Sequence, residues 1–389
     1  MAEAIKEMAD EDFTPHTGIA INVNIIPPSQ IIAGNVNAIM LAIGAGRAPD
    51  VALGVDVITP VEFAFRGAVQ DLSGMPGFDE VRERFVPAIM TPFEFDGGVF
   101  ALPETMNFNV MFYRRDILSM LDLQLPDTRA QLYEFVLPTL YQNGMEFFFD
   151  REFTQFLFQH GGDFYTPDLR RTGLYTPEAF RAFEEYTQLF THFGVDVMAN
   201  FYQRMRMGIM PLGIGDFGMY MQLSVAAPEL VGRWGIAPLP GIMREDGVVD
   251  RTAGAISQNS AMILSQTDHP YEAWQFLKWW TSAQAQTAFA GEVEALIGSE
   301  ARWNTANVEA FLSLPWSLDE IEVLQEQWYW AREMPTVLGG YFTNRYIVNA
   351  WTSVVMEGDD PRDALESAVR SINRELRMRQ EAYGFFHDD

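Results

Sequence analysis

Cysteine is absent from all 389 residues, which excludes disulfides, thiolate nucleophiles and cysteine-bound metals. The absence fits a reduced cytoplasm and an exported chain that avoids thiols equally well. Histidine is scarce, and the five present are far apart with no metal-ligand spacing. Positive charge is scarce too: 26 lysines and arginines against 53 acidic residues give a formal charge of −27. So acidic a chain repels phosphate backbones and anionic lipid, which argues against a nucleic-acid partner. A solvated acidic surface with no partner at all is the simpler explanation of the charge. No apolar run reaches the length of a membrane span, since residues 31–45 are broken by Asn35 and Asn37. The opening MAEAIKEMADED has five acidic residues, one lysine and no apolar core, so it is not a signal peptide; if the protein is exported, its address lies upstream of this chain. There is also no G-x-S-x-G, H-E-x-x-H or EF-hand loop.

What is present suits two domains with sizeable cores: 48% apolar and 13% aromatic residues. Ala4, Ile5, Met8, Ala9 and Phe13 share a helical face, and Gly18 precedes an alternating strand through Ile19, Ile21, Val23 and Ile25. Ser29 caps an apolar-faced helix stopping near Gly44, and residues 51–53 form a short strand. This α-β-α-β order predicts a parallel sheet with right-handed crossovers. Thr59-Pro60 starts a helix that ends at Gly67. Further on, Thr176-Pro177-Glu178 opens a helix with a core-facing stripe of Phe180, Phe183, Leu189, Phe190 and Phe193. His269-Pro270 opens another with Ala273, Trp274, Leu277 and Trp280 buried. Residues 252–264 read as a strand pair or a strand and turn, and the tail from Asp360-Pro361 as a long amphipathic helix.

The segment 97–117, GGVFALPETMNFNVMFYRRDI, organises the rest. Phe100, Leu102, Phe108, Val110 and Phe112 alternate with small or polar partners, and Pro103 interrupts the alternation beside Glu104, Thr105, Asn107 and Asn109. This reads as one strand passing from one domain into a second. The string resembles the hinge-crossing segment of extracellular solute-binding proteins of the maltose-binding-protein-like class, the capture components of ABC sugar importers. AGRAPDV (45–51), QDLSG (70–74), QHGGDFY (159–165), GIGDFG (213–218), WGIAPLPG (234–241) and EAWQFLKWWTSAQAQ (272–286) follow in the family's order.

The resemblance implies an α/β, two-lobe periplasmic-binding-protein-like fold of type II, hinged, with the ligand cleft between lobes. The expected lobes are residues 1–108 with 251–305, and 109–250 with 306–389. The family has a strand before the first helix whose following loop touches ligand. That strand is missing here, so the chain reads as a segment of a longer polypeptide. The implied function is capture of a carbohydrate, an oligosaccharide in the first instance, by hinge closure. The partners are ABC permease subunits, the location is extracellular or periplasmic as for a lipoprotein, and any membrane anchor lies upstream. No cofactor, metal or enzymatic activity is implied.

Sugars need paired donors and acceptors for their hydroxyls and flat aromatic faces for their C–H surfaces. The candidate contacts are Glu104, Thr105 and Asn107 at the first crossing, then Gln159 and Asp163 in QHGGD. Asp216, Phe217 and Tyr220 follow in and after GIGDFG, then Trp303, Asn304, Tyr341 and Arg345; the resemblance adds Asp56 and Gly254. GIGDFG also fits a dinucleotide loop, but an aspartate sits where pyrophosphate would lie, and no acidic residue ends a strand about 20 residues on. Turn packing remains open for Phe217 and Tyr220, and core packing for Trp303. A glycoside-processing enzyme using Glu104, Asp163 and Asp216 is the alternative, as is a ligand sensor for a receptor.

Overall fold

The structure is a computed structural model that describes residues 1–26, 38–298 and 301–384. The chain divides into two compact units, one of Met1–Asn107 with Ile256–Pro315, the other of Phe108–Ala255 with Trp316–Asp389.

In the first unit the chain is helical from Ala2 to Thr17 and ends at Gly18, whose φ of 73° is the left-handed stop that glycine allows. Phe13 anchors this helix against Phe276 and Trp279, with ring centroids 5.7 and 5.4 Å away. The Trp279 indole N–H donates to Asp12 at 2.7 Å. Residues 19–26 do not form the expected strand. Their alternation does not face a core, since Val23 and Ile25 are exposed, and period-two patterning needs a ladder partner to become a strand. The expected helix start at Ser29 lies outside the described residues; Ala38–Gly44 is helical.

Strand Val51–Asp56 runs antiparallel to Ala253–Ile263, with Val51 opposite Ile263 and Asp56 opposite Asn259. The expectation of a parallel sheet here is therefore corrected. Without a strand at 19–25 there is no βαβ unit, and the partner arrives from far along the sequence. Leu102–Phe108 pairs with the same long strand, which is one continuous element, not a strand pair. Phe63, Phe93, Val55, Met262 and Leu264 fill the core on this side.

The second unit is built on a four-stranded sheet in the order Phe147–Phe149, Leu212–Gly215, Val110–Arg114, Trp234–Ala237. The first pair is parallel, and Val110–Arg114 is antiparallel to both of its neighbours. Helices Thr154–Gln159, Pro177–Thr191, Tyr341–Thr352 and Pro361–Ala382 supply Phe156, Phe183, Phe190, Ile347, Leu365 and Leu376 to one core. Phe148 and Phe201 stack at 4.6 Å and 6° across Gly213. A Cβ on Gly213 would lie 2.7 Å from both Phe148 Cβ and the Phe201 ring. Gly213→Ala must therefore separate the two rings, and chemical denaturation should show a loss of roughly 1–3 kcal/mol; an unchanged midpoint would contradict the packing.

Glu104 ties the first unit together. It is 2% exposed; its two oxygens accept the Gly54 backbone N–H and the Trp280 indole N–H, each at 2.6 Å. Gly54 sits at φ 68° where the ladder register shifts, so the carboxylate pins a β-bulge to helix Pro270–Trp280. Burial lifts its pKa to about 7, against the two hydrogen bonds that pull it down. A carboxyl whose folded pKa is raised binds its proton better in the native state. Its contribution is thus fullest below the unfolded value near 4.5 and is lost as pH rises to about 7, on the order of 3 kcal/mol in all. Glu104→Gln offers one oxygen to two N–H donors, which costs about 1–3 kcal/mol. In thermal melts from pH 5 to 8 the gap between wild type and this variant should be widest at pH 5 and close as pH rises; a pH-independent gap would refute the assignment.

Candidate functional site

The first unit brings Asp56, Glu104, Thr105 and Asn304 into one neighbourhood around the long strand. Asp56 ends its strand opposite Asn259. Its carboxylate accepts the N–H groups of Ile58 and Thr59 at 2.9 and 3.0 Å and the Thr59 hydroxyl at 2.7 Å. Asp56 thus starts helix Thr59–Ala64, the capping role expected of Thr59. The side chain remains exposed. Thr105 Oγ1 accepts the Asn259 N–H at 3.1 Å. The Asn304 carbonyl accepts the Met106 N–H at 3.0 Å, and the Ala306 N–H donates to the Glu104 carbonyl at 2.9 Å. Residues 304–306 thus run as a short partner to the polar strand, with Thr105 bridged to Thr305. Asn107 is buried in that strand. Trp303 takes its packing role: its indole N–H donates to Gln286 at 2.8 Å, and its ring meets Phe289 edge-on at 5.0 Å.

In the second unit the expected residues form separate groups. Gln159, at the end of its helix, donates from Nε2 to the Thr252 carbonyl at 3.1 Å. Gly254, two residues on, pairs in parallel with Arg332. A Cβ there would make only ordinary contact with Thr154, at 3.5 Å, so space does not demand glycine. Arg332 forms an ion pair with Asp163 and lies 4.4 Å over the Phe158 ring. Burial raises the Asp163 pKa against the pull of that arginine.

Asp216, Phe217 and Tyr220 come together as the start of helix Phe217–Ala226. Asp216 is the N-cap and accepts the Met219 N–H at 3.1 Å. Phe217 and Tyr220 point into a ring cluster with Phe108 and Trp316 and are only 6% and 5% exposed. Of the residues expected as ligand contacts, Phe217 and Tyr220 are therefore mostly buried among these rings. Tyr341 belongs to another neighbourhood. Its hydroxyl accepts from Arg379 at 2.9 Å, its ring lies 4.0 Å from Phe342, and Arg345 is exposed one turn along the same helix.

Several residues near these groups were not singled out in the sequence. Asp150 and Glu152 lie between strand Phe147–Phe149 and helix Thr154–Gln159, and burial raises both carboxyls. The charge of Asp216 adds to the effect on Asp150, and that of Asp150 to the effect on Glu152. Glu152 also accepts the Thr154 N–H at 2.8 Å. Burial pushes the Glu333 carboxyl up to about 8, with the Glu152 charge contributing. The signal was a strand followed by two acids and a helix start. For Trp316 it was an aromatic residue directly before S-x-x-E, the position preceding a capping box.

Among the described residues no cluster of histidine and carboxylate side chains is arranged to hold a metal, and no helix is long and apolar enough to cross a membrane.

Over residues 1–287 the sequence matches the family described as bacterial extracellular solute-binding protein. No curated protein sequence matches the chain. Among solved structures it is similar to the sugar-binding protein MalE of the phytopathogen Xanthomonas citri, with TM-score 0.80 and 18% identity over 99% of this chain and 97% of that one. A cyclo/maltodextrin-binding protein complexed with maltotetraose aligns with TM-score 0.75 and 19% identity, over 96% and 94% of the two chains. Maltose-bound MalE3 of T. maritima aligns at 0.66 and 20%, over 95% of each. At these identities the likeness establishes the fold, the two-lobe type II periplasmic-binding architecture. The family match spans well over half of the sequence, and the chain is a member of the bacterial extracellular solute-binding protein family.

Proposed function

We propose that the chain is the substrate-binding component of an ABC importer and that its solute is a carbohydrate, an oligosaccharide in the first instance. The observation that carries this reading is the start of helix Phe217–Ala226. There Asp216 stands at the head of a cluster of four aromatic rings, with the Asp150 carboxyl close enough to feel its charge. Carboxylates accept sugar hydroxyls and rings receive the C–H face, so this pairing matches the two kinds of surface a pyranose presents. The proteins similar in fold include one with maltotetraose bound and one with maltose bound, which supports the same class. Capture is reversible and requires no covalent step. Membership of an extracellular family supports an exported protein that delivers its solute to permease subunits, with any membrane attachment outside the folded units.

The enzymatic alternative is disfavoured by how the candidate carboxylates are used. Glu104 is buried and occupied by two N–H donors and Asp163 is paired with Arg332, so the three candidates do not offer a pair of carboxylates. General acid–base work needs a carboxyl with its oxygens directed at substrate.

Thermal unfolding with maltotetraose, cellotetraose and mannotetraose tests the reading. A bound sugar should raise the midpoint with concentration, by about 2.7 kcal/mol at 100 times the Kd, and chromatography should recover it intact. Cleaved sugar would overturn the non-enzymatic reading, and no shift with any of the three would count against carbohydrate. Asp216→Asn separates structure from binding, because asparagine caps a helix as well as aspartate does. Its unfolding midpoint should match wild type while affinity falls about tenfold, the difference between a charge-assisted and a neutral hydrogen bond; an unchanged affinity would leave Asp216 with capping alone.

A further inference from the structure

Glu104 stands among the expected ligand contacts, yet at 2% exposure its carboxylate is out of reach of a solute in this structure. What it holds is the bulge two residues before Asp56. In strand Val51–Asp56, Ala52 lies opposite Met262 and Val55 opposite Ser260, so Leu53 and Gly54 together face Ala261. Plain alternation would put Asp56 on the face of Ala52; with the extra residue, Val55 joins Ala52 in the core and Asp56 is exposed. The bulge thus decides that Asp56 faces solvent. Asp56 Oδ1 takes the Ile58 and Thr59 N–H groups and Oδ2 only the Thr59 hydroxyl, which leaves Oδ2 a lone pair for a solute hydroxyl.

A bulge leaves its extra amide out of the ladder. The one at Gly54, where φ is 68°, is met by Glu104 Oε2 at 2.6 Å, while Oε1 takes the Trp280 indole N–H at 2.6 Å. An ionised carboxylate serves both donors with its full charge; a protonated one keeps a single strong acceptor. Trp280 is 1% exposed and fixed edge-on to Phe289 at 4.9 Å, whereas Gly54 lies on the surface, so the bond that yields is the one to Gly54. Burial pushes the Glu104 carboxyl up to about 7, against both hydrogen bonds. No other ionisable group contributes. The long strand Ala253–Ile263 and residues 304–306 carry none, and Asp56, Tyr271, Glu272 and Lys278, those of the strand and helix that hold Glu104, leave it unaffected.

We propose that Glu104 is a positioning residue for Asp56: the ionised carboxylate locks the bulge that turns Asp56 outward, protonation loosens it, and solute affinity therefore rises with pH. The step rests on the carbohydrate reading and on Asp56 as one of its contacts. Stability runs the other way. The native carboxyl binds its proton better than the unfolded one, so ionising it lowers stability as pH rises to about 7. A residue that served the fold alone would let affinity fall with stability; here the two part.

Hydrogen exchange of the Gly54 amide in the sugar-free full chain, followed by NMR at about pH 6, 7 and 8 and corrected for intrinsic rate, tests the lock by itself. Protection should rise about tenfold over that range, the difference between a charge-assisted and a neutral hydrogen bond; protection that is flat or falls overturns the proposal. Calorimetric titration with maltotetraose, cellotetraose and mannotetraose at the same pH values tests the consequence. For a sugar that wild type binds, affinity should rise by a similar factor. Glu104→Gln, which also offers one oxygen to two donors, should show a flat profile near the wild-type value at the lowest pH. A wild-type affinity that is flat or falls with pH overturns the proposal, as does an undiminished pH dependence in Glu104→Gln. If that variant does not fold, wild-type exchange and titration decide. If wild type binds none of the three sugars, the carbohydrate reading falls, and exchange alone decides whether Glu104 locks the bulge.

Discussion

Between Leu102 and Arg114 every residue except Tyr113 is buried, and the buried set includes Glu104, Thr105, Asn107, Asn109 and Arg114. Removing a carboxylate, two amides and a guanidinium from water in one stretch of strand is unfavourable unless each finds a partner. Much of the surrounding structure can be understood as supplying those partners. Gly54 and Trp280 serve Glu104, and Asn259 serves Thr105. Arg114 is met by the Met205 carbonyl at 2.8 Å and by both oxygens of Asp116. Partners drawn from residues so distant in sequence tie the long strand Ala253–Ile263 and helix Pro270–Trp280 to the crossing segment.

The helices were legible wherever amphipathic spacing coincided with a start signal. Pro177–Thr191, Pro270–Trp280 and Pro361–Ala382 begin at the Thr-Pro, His-Pro and Asp-Pro steps that mark them. Strand pairing was not legible, because alternation says which residues share a face but not which strand lies alongside. Residues 19–25 alternate without a ladder. Val51–Asp56 finds an antiparallel partner more than two hundred residues away. The crossing segment, read as a single strand, is two, Leu102–Phe108 and Val110–Arg114, interrupted at Asn109.

For the candidate site the residue types were legible and their exposure was not. A sugar site needs rings and carboxylates, which drew attention to Asp216, Phe217 and Tyr220. Whether a ring offers its face depends on what lies over it, and here that is Trp316, about a hundred residues further along. Asp56 shows the same limit: the family's pattern made it a candidate contact, but its use in starting helix Thr59–Ala64 depends on backbone geometry. The raised carboxyls at Asp150, Glu152 and Glu333 arise from burial, which composition does not reveal.

Neither compact unit is contiguous in sequence. The core that holds Met111 and Phe147 also takes Leu365, Val369, Ile372 and Leu376 from helix Pro361–Ala382. Strand Val51–Asp56 acquires its ladder partner only at residues 259–263. Emerging from the ribosome, the first unit therefore lacks its larger sheet until two thirds of the chain has been made, and the second lacks one wall of its core until nearly all of it has. Long-range closure slows folding and leaves early segments uncommitted. This interleaving delays compaction of both units until late in synthesis.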